Sequence, residues 1–392
     1  MPPDPLLLTG TGRLHTGRSV RSPWAVQVRD GTIAWVGDPS DAPTTDAVVD
    51  LGSALVTPGL VDAHTHPVYA GDRSDEAAAR LAGARYDGGG ILRTVRVTRA
   101  ASDEELLALV EGRLRGALAG GTTTIECKSG YGLSTAEELR ALRLIGEAAS
   151  RVRMRVVRTF LGAHAVPPGT TIDQYVDLIV GEMLPAVAGE ADFCDVFCDR
   201  GFFTVDHAER ILRAALDAGL KLRMHAEQLA RTGAVEMAVR LGVTSVDHLE
   251  QLDASGVAAL AGSSTVATLL PGPALVMRDA LPPARALLDA GVTVALASDA
   301  NAGTFGSCSI PLVIGLGATV LDMTVDEAVT AATAGGAASL ALSDRCGEIR
   351  PGLSADIVAW DAEHEGAFAL HLGDVRPHQV WVGGVSVLPV AA

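Results

Sequence analysis

The middle of the chain alternates short apolar segments with longer segments whose apolar residues recur at helical spacing. The helical pattern is clearest over 102–118 and 135–149, and the first of these opens with Ser102-Asp103-Glu104-Glu105, a plausible capping box. Eight apolar segments are typical of buried strands, namely 60–66, 122–128, 155–164, 192–198, 221–226, 244–249, 264–270 and 293–298. Eight strands alternating with helices predict an α/β fold, a closed (β/α)8 TIM barrel.

The two ends of the chain carry a different pattern. Short alternating segments separated by turn residues fill 1–57 and 346–392, and no long helical pattern precedes Pro58. Asp30-Gly31 lies between two alternating segments, which is a hairpin signal. We expect 1–57 and 346–392 to form one composite β-sandwich domain, and 58–345 to form the barrel domain.

Composition narrows the class of protein. The 392 residues are 48% hydrophobic but only 4% aromatic, so the core is built mainly from Ala, Leu and Val, as in parallel sheets covered by helices. A formal charge of −16 argues against nucleic acid or an anionic membrane as the main partner. The N-terminus does not resemble a secretory signal. The apolar segment 310–321 is too short and too rich in glycine to span a bilayer. The five cysteines include no CxxC block, which suits a reducing compartment. We therefore expect a cytoplasmic protein.

A His-x-His pair ends the first predicted strand. Alternate side chains of a strand share one face, so His64 and His66 can bind one metal ion. Taken alone the pair is weak evidence, because histidines also occur as ordinary hydrogen-bonded residues. Cys194 and Cys198 are better interpreted as core thiols than as ligands.

Further polar residues end other strands at the same rim of the predicted barrel. His164 ends strand three, His225 strand five, His248 strand six and Asp299 strand eight. Histidines in a packed core need not gather at one rim, where barrel enzymes place their functional residues. The metal site that we predict has three nitrogen ligands and one oxygen ligand: His64, His66, His225 and Asp299. Such a site suits zinc or iron(II) and leaves a position for water.

Over nearly its whole length the chain resembles the amidohydrolase superfamily. The shared motifs are PGLVDAHTH, MHAE at 224–227, VDHLE at 246–250, ASD at 297–299 and PGLSADIV. Within that superfamily the chain resembles the imidazolonepropionase family, through GDR at 71–73, GGGI at 88–91, CKSGYGL at 127–133, TFLGAH at 159–164, DVFCD at 195–199 and TLLPG at 268–272. The occurrence of all these motifs in this order identifies the family better than any single motif does.

The resemblance implies a reaction and its requirements. The expected reaction is hydrolysis of 4-imidazolone-5-propanoate to N-formimino-L-glutamate in histidine degradation. The cofactor would be one divalent or ferric metal ion, zinc or iron, since no lysine ends strand four to bridge a second metal. The substrate is a small anionic heterocycle, and a homodimer is expected from the resemblance alone.

The substrate-binding residues follow from the same resemblance. Arg73 can hold the propionate as a bidentate partner, although an exposed arginine on a charged loop is the alternative. Tyr131 and His164 are expected to contact the imidazolone ring, and Tyr86 to assist Arg73. The other family positions that hold substrate or product are Gln228, Asn301, Gly303 and Thr304.

Three residues are candidates for catalysis. Asp299 is placed to accept the water proton and pass it to the leaving nitrogen. His248 could stabilise the oxyanion or orient the water, the alternative being a hydrogen-bonding role behind the ligands. Gln228 occupies a position where many relatives carry a carboxylate, but an amide has no proton to exchange at neutral pH and cannot be the general base.

Two other functions remain open from the sequence. A related amidohydrolase could act on another cyclic amidine or imide, or deaminate a heterocycle. The residues Ala300, Ala302 and Pro273 depart from the expected pattern and loosen the substrate assignment. If the barrel were a non-catalytic scaffold, we would expect some of the metal-binding residues to be replaced, whereas all four are present. The barrel fold alone would not distinguish an enzyme from a scaffold.

Overall fold

The computed structural model describes residues 5–83 and 89–387, beginning with a series of short strands. These are β1 (Leu6–Gly10), β2 (Leu14–His15), β3 (Val20–Arg21), β4 (Trp24–Arg29), β5 (Thr32–Gly37), β6 (Ala47–Asp50) and β7 (Val56–Pro58). Asp30 and Gly31 join β4 to β5 with φ angles of 49° and 74°. Because Asp-Gly tolerates this left-handed pair, the predicted two-residue hairpin forms.

Eight parallel strands then form one sheet whose order follows the chain. They are β8 (Leu60–Asp62), β9 (Thr122–Lys128), β10 (Arg155–Ala163), β11 (Phe193–Cys198), β12 (Lys221–Ala226), β13 (Ser245–His248), β14 (Val266–Leu269) and β15 (Val294–Leu296). The sheet closes beyond the ends of β8 and β15, where the Asp299 N–H donates to His64 O and the His66 N–H to Ala300 O, both at 2.9 Å. The predicted barrel is confirmed.

Strand β8 is shorter than we predicted. It ends at Asp62, whereas the apolar pattern predicted a strand through His66. The regular ladder stops because the Thr65 N–H donates to the Glu126 carboxylate at 3.1 Å instead of to a neighbouring backbone carbonyl. His64 and His66 therefore lie just past the strand.

Helices cover the barrel and connect its strands. They are α1 (Ser74–Leu81), α2 (Gly89–Ala100), α3 (Asp103–Ala119), α4 (Thr135–Arg151), α5 (Ile172–Leu178), α6 (Leu184–Val187), α7 (Val205–Asp217), α8 (Ala234–Leu241), α9 (Ala254–Ala261), α10 (Pro271–Met277), α11 (Ala284–Asp289), α12 (Ile310–Val320), α13 (Val325–Thr330), α14 (Gly336–Ser339) and α15 (Gly366–Leu370). The Ser102 hydroxyl caps α3 by accepting the Glu105 N–H at 3.2 Å. Within the described ranges, no helix combines the length and the apolar character needed to cross a bilayer.

The C-terminal strands pair with the N-terminal ones. They are β16 (Ile357–Trp360), β17 (Pro377–Val382) and β18 (Val385–Ser386). One sheet has the order β18-β17-β16-β7-β2-β3, the other β5-β4-β1-β6. Leu8 and Trp24 of the second sheet share a buried core with Ile357 and Trp381 of the first. The sandwich built from both termini is thus confirmed, while the domain boundaries at 57/58 and 345/346 remain a prediction.

Candidate active site

A cavity lies at the carboxyl end of the barrel strands. It is lined by His66, Arg73, Ile91, Tyr131, His164, Phe197, His225, Gln228, His248, Asp299, Asn301 and Thr304. Most of the residues that we predicted from the sequence therefore line one cavity. The predicted residue Tyr86 lies outside the described residues.

The four predicted metal ligands form one buried cluster. His64 Nε2 lies 3.2 Å from His66 Nε2, and Asp299 Oδ1 lies 3.3 Å from His66 Nε2 and 3.6 Å from His64 Nε2. The imidazole ring of His225 lies 4.5 Å from that of His64, between ring centroids. Nitrogen atoms of His64, His225 and His248 also approach within 4.8 Å of one another, so His248 borders the cluster.

Two carboxylates behind the cluster orient its imidazoles. His64 Nδ1 lies 2.7 Å from Asp247 Oδ2, and His225 Nδ1 lies 3.0 Å from Asp195 Oδ1. Because an ionised carboxylate only accepts hydrogen bonds, each Nδ1 carries the proton and each Nε2 presents a lone pair. Burial lowers the pKa of His64 far below its ordinary value and also lowers the pKa of His225, so both rings are neutral.

This donor set fits a metal ion. Ring nitrogens of His64 and His66 and a carboxylate oxygen of Asp299 converge to within 3.2–3.6 Å, where their lone pairs repel one another unless a cation lies between them, and a ring nitrogen of His225 lies within 4.8 Å of one of His64. Neutral imidazole held by a carboxylate on its other nitrogen is the form in which histidine binds metal. Three nitrogens and one oxygen suit zinc or iron better than calcium or magnesium, which prefer oxygen.

A buried ionic network supports the two carboxylates. Lys128 Nζ lies 2.7 Å from both Asp195 Oδ2 and Glu126 Oε1, and Arg223 Nη2 lies 2.8 Å from Asp247 Oδ2. All these side chains have 0% exposure, and each carboxylate lies beside a buried cation within the barrel. Lys128 is a structural residue beneath the site.

The sequence analysis missed this network, although a signal was present. Glu126 and Lys128 are two residues apart on β9, and Arg223 and His225 are two apart on β12. Strand periodicity places each pair on one face, here the barrel interior. Charged residues at alternate positions of an otherwise apolar barrel strand indicate a buried network behind a site. The apolar lining residues Ile91 and Phe197 were also missed, because nothing distinguished them from core residues.

His248 lies beside the cluster in a restrained conformation. Its φ of 84° falls in the left-handed region, which residues other than glycine rarely adopt outside functional sites. His248 Nδ1 lies 3.4 Å from Glu250 Oε1, and both side chains are buried. Burial alone lowers the pKa of His248, but the carboxylates of Glu250, Asp299 and Asp247 together outweigh burial and raise the pKa to about 9.

Asp299 also has a left-handed backbone, with φ of 50°. Burial alone raises the pKa of its carboxyl group, but interactions with the neighbouring imidazoles of His66, His248 and His225 together outweigh burial and lower the pKa. The preceding residue, Ser298, anchors the strand end: its N–H and hydroxyl donate to the two oxygens of Asp62 at 3.0 and 2.6 Å. Asp299 is therefore an ionised group on a fixed backbone.

Arg73 is a buried cation in the cavity wall. Its side chain is only 4% exposed, which removes the alternative of an exposed arginine. Arg73 Nε and Nη2 donate to Glu76 Oε2 at 3.1 and 2.8 Å. A Cβ on Gly303 would lie 2.2 Å from Arg73 Nη1, and one on Gly90 would lie 1.9 Å from Nη2. Gly303 thus serves the site by making room for the guanidinium group.

Tyr131 and His164 form an aromatic wall beside the cluster. The His164 ring stacks on His66 with 5.3 Å between centroids, and the Tyr131 ring lies 5.2 Å from His164. His164 Nδ1 donates to the Gly130 carbonyl oxygen at 2.9 Å, so Nε2 is the acceptor. Burial lowers the pKa of His164 well below its ordinary value, and the ring is neutral.

The Asn301 side chain folds its own loop. Its amide nitrogen donates to Asp299 O and Thr304 Oγ1, and its oxygen accepts the N–H groups of Gly303 and Thr304, at 2.7 to 2.8 Å. All four hydrogen-bonding positions of the carboxamide are used in this way. Asn301 can therefore contact a substrate only through its backbone, or through its side chain if one of these hydrogen bonds breaks.

Gln228 reaches the cavity from a loop held by Asp199. Asp199 Oδ2 accepts the N–H groups of Gln228 and Leu229 at 2.7 and 2.9 Å. The preceding Glu227 forms a close ion pair with Arg231 and does not line the cavity. The described part of the cavity wall near Gln228 thus offers an amide and no carboxylate base.

Comparisons with known proteins agree with this geometry. Residues 55–387 match the model of the amidohydrolase family. The chain is 47% identical to an imidazolonepropionase of Saccharopolyspora erythraea and 47% identical to one of Salinispora tropica, each over 97% of this chain and 98% of the relative. In fold it is similar to an adenosine deaminase from Xanthomonas campestris with bound zinc, with TM-score 0.76, 19% identity, and coverage of 99% of this chain and 94% of that one.

Proposed function

Because the chain belongs to the imidazolonepropionase family of amidohydrolases, we propose that it hydrolyses the ring C–N amide bond of 4-imidazolone-5-propanoate. The product is N-formimino-L-glutamate, and the reaction belongs to histidine degradation. One observation supports this substrate above all: a single cavity is lined by the histidine and aspartate cluster and by the buried Arg73. The substrate has a ring amide to be attacked and a carboxylate that needs a fixed cation.

We propose that one metal ion per chain, zinc or iron, is held by four residues: His64, His66, His225 and Asp299. The bound ion would lower the pKa of a water molecule to about 7 and would polarise a carbonyl group. Asp247 and Asp195 keep His64 and His225 in the tautomer that this ion requires. The set of donors does not distinguish zinc from iron.

The chain's own residues move the protons. The water oxygen forms a bond to the ring carbonyl carbon, and Asp299 accepts the proton that the water loses. The bond between that carbon and the ring nitrogen then breaks, and Asp299 returns the proton to the departing nitrogen. His248, held by Glu250, donates a hydrogen bond to the oxygen on which negative charge develops. Gln228 contacts substrate without exchanging protons.

Other residues hold the substrate. Arg73 forms charge-assisted hydrogen bonds with the propionate group. Tyr131 and His164 contact the imidazolone ring, and Thr304 lies with them in the cavity wall. Asn301 and Gly303 act through the shape of the loop that follows the last strand.

The test is turnover of freshly prepared 4-imidazolone-5-propanoate in water labelled with ¹⁸O. We expect loss of the ring's ultraviolet absorbance and a product with one labelled oxygen in its new carboxylate. Unchanged substrate in the presence of protein that holds its metal would contradict the proposal. Release of ammonia from an aminated heterocycle by the same sample would favour the alternative, a deaminase.

Arg73→Ala tests the substrate class. Loss of a hydrogen-bonded charge pair of about 1.5–3 kcal/mol corresponds to a 10- to 150-fold rise in KM for the propanoate. An imidazolone that lacks the propionate tail should be little affected. Equal losses with both substrates would show that Arg73 does not bind the carboxylate.

The remaining properties are proposals from sequence and resemblance. We propose a homodimer, a cytoplasmic location, and no nucleic-acid or membrane partner for this acidic chain. Light scattering of the purified protein measures the first of these, and a mass of one chain would refute it.

A further inference from the structure

The loop between β9 and α4 is folded around one buried carboxylate. Glu138, in the first turns of α4, has 0% exposure. Its Oε2 accepts the Gly130 N–H at 2.8 Å, and its Oε1 accepts the N–H groups of Gly132 and Leu133 at 2.9 and 2.7 Å. The Ser129 hydroxyl also donates to it. One side chain thus accepts three of the six backbone N–H groups of the loop 129–134.

The loop conformation depends on this carboxylate. Gly130 and Leu133 have φ angles of 105° and 51°, both left-handed, and leucine adopts this region only when it is held there. A Cβ on Gly132 would lie 2.8 Å from Glu138 Oε1. The backbone therefore wraps closely over the carboxylate, and no regular secondary structure pairs these N–H groups.

The same loop presents two groups to the cavity. Tyr131 lies between two of the N–H groups that Glu138 binds, and its ring lines the cavity. The Gly130 carbonyl oxygen accepts the Nδ1 proton of His164, which sets the direction of that ring. Both groups are those that the proposed function places against the imidazolone ring.

We infer that Glu138 is a positioning residue for substrate binding: its carboxylate fixes the loop that presents Tyr131 and orients His164. The inference rests on the proposed function, since it concerns the substrate of the same site. Glu138 itself does not line the cavity and touches no substrate. Its role is distinct from that of the proposed metal ligands, with which it forms no hydrogen bond within the described residues.

The carboxylate form is required by the donors around it. Burial raises the pKa of Glu138, although four hydrogen bonds oppose the shift and stabilise the charged form. A glutamine has the same shape but presents an NH2 group to at least one backbone N–H, so two donors face each other. Glu138→Gln therefore perturbs the loop without creating a cavity.

The experiment compares Glu138→Gln with Glu137→Gln. Glu137 is the adjacent residue on α4, is partly exposed and pairs with Arg140 at 3.1 Å, outside the loop. For metal-loaded protein we expect Glu138→Gln to raise KM for 4-imidazolone-5-propanoate about 10- to 100-fold, the effect of a small misplacement of contact groups. Metal content and kcat should change much less, and Glu137→Gln should match the parent protein.

A purely structural role predicts a different result. General destabilisation lowers the fraction of active protein and so lowers the apparent kcat, with KM unchanged. A double-mutant cycle with Tyr131→Phe separates the two, because residues that act through one another have non-additive effects. We expect the KM effects of Glu138→Gln and Tyr131→Phe to be less than additive; an unchanged KM or full additivity would overturn the inference.

Failure of the proposed function is distinguishable from failure of this inference. Absence of turnover by the parent protein would refute the substrate. Amide hydrogen exchange of 129–134 then decides the loop: faster exchange in Glu138→Gln than in Glu137→Gln supports the positioning role, and equal exchange refutes it.

Discussion

Asp247→Asn should weaken metal binding and destabilise the barrel at the same time. Asp247 Oδ2 accepts from His64 Nδ1 at 2.7 Å and from Arg223 Nη2 at 2.8 Å, and its other oxygen accepts from the Ser245 hydroxyl at 2.5 Å. An asparagine keeps the shape but removes the charge. It removes the nearest counter-charge of the buried Arg223 guanidinium, leaving Glu126 at 4.0 Å, and no longer fixes the proton on His64 Nδ1.

The two effects have different magnitudes and separate assays. Removal of one partner from a buried ion pair costs about 3–5 kcal/mol of unfolding free energy, measured by denaturant unfolding of the metal-free protein. Loss of a carboxylate behind a metal-binding histidine typically weakens metal affinity about 10- to 100-fold, measured by competition with a chromogenic chelator.

Glu111→Gln is the matched control. Glu111 pairs with Arg115 at 2.7 Å on the surface of α3, where Arg115 is 57% exposed. Exposed pairs of this spacing contribute about 0.3–0.5 kcal/mol, so metal affinity should be unchanged and stability nearly so. If Asp247→Asn behaves like Glu111→Gln in both assays, the buried network does not support the ligands and the reasoning is refuted.

Two further substitutions test the cavity wall and the terminal sandwich. Gly303→Ala places a Cβ 2.2 Å from Arg73 Nη1, whereas a Cβ on Gly306 meets nothing within 4 Å. We therefore expect Gly303→Ala to raise KM about tenfold, as when contact groups are displaced, and Gly306→Ala to leave KM unchanged; equal effects would contradict the packing. Trp24 has 0% exposure in the core shared by the two terminal sheets. Trp24→Ala should lower the free energy of unfolding by about 3–5 kcal/mol in denaturant titrations, and a loss under about 1 kcal/mol would contradict the shared core.

Periodicity predicted the fold because short strand-like segments alternate with longer segments of helical spacing along the middle of the chain. Strands β9 and β12 have the predicted bounds, 122–128 and 221–226. The error at β8 has a local cause that the apolar pattern does not contain: the Thr65 N–H bonds to a side chain of the next strand. The residue at which a strand ends depends on hydrogen bonds of this kind to distant parts of the chain, whereas the formation of the strand depends on the nearby sequence.

The candidate site was predictable where residue type is distinctive at strand ends. His64, His66, His225 and Asp299 could be recognised because histidine and aspartate are unusual after apolar strands. Glu138 could not, because a glutamate on an amphipathic helix resembles a solvent-exposed residue. Its role depends on a loop folding back over the helix, which only the three-dimensional structure contains.

Metal titration of the metal-free protein tests the central claim most directly. Turnover of 4-imidazolone-5-propanoate should be absent without metal and should rise linearly with added zinc or iron until each chain holds one ion. Saturation near two ions per chain would contradict the single-metal site. Turnover that persists after complete removal of metal would contradict the role of the histidine and aspartate cluster.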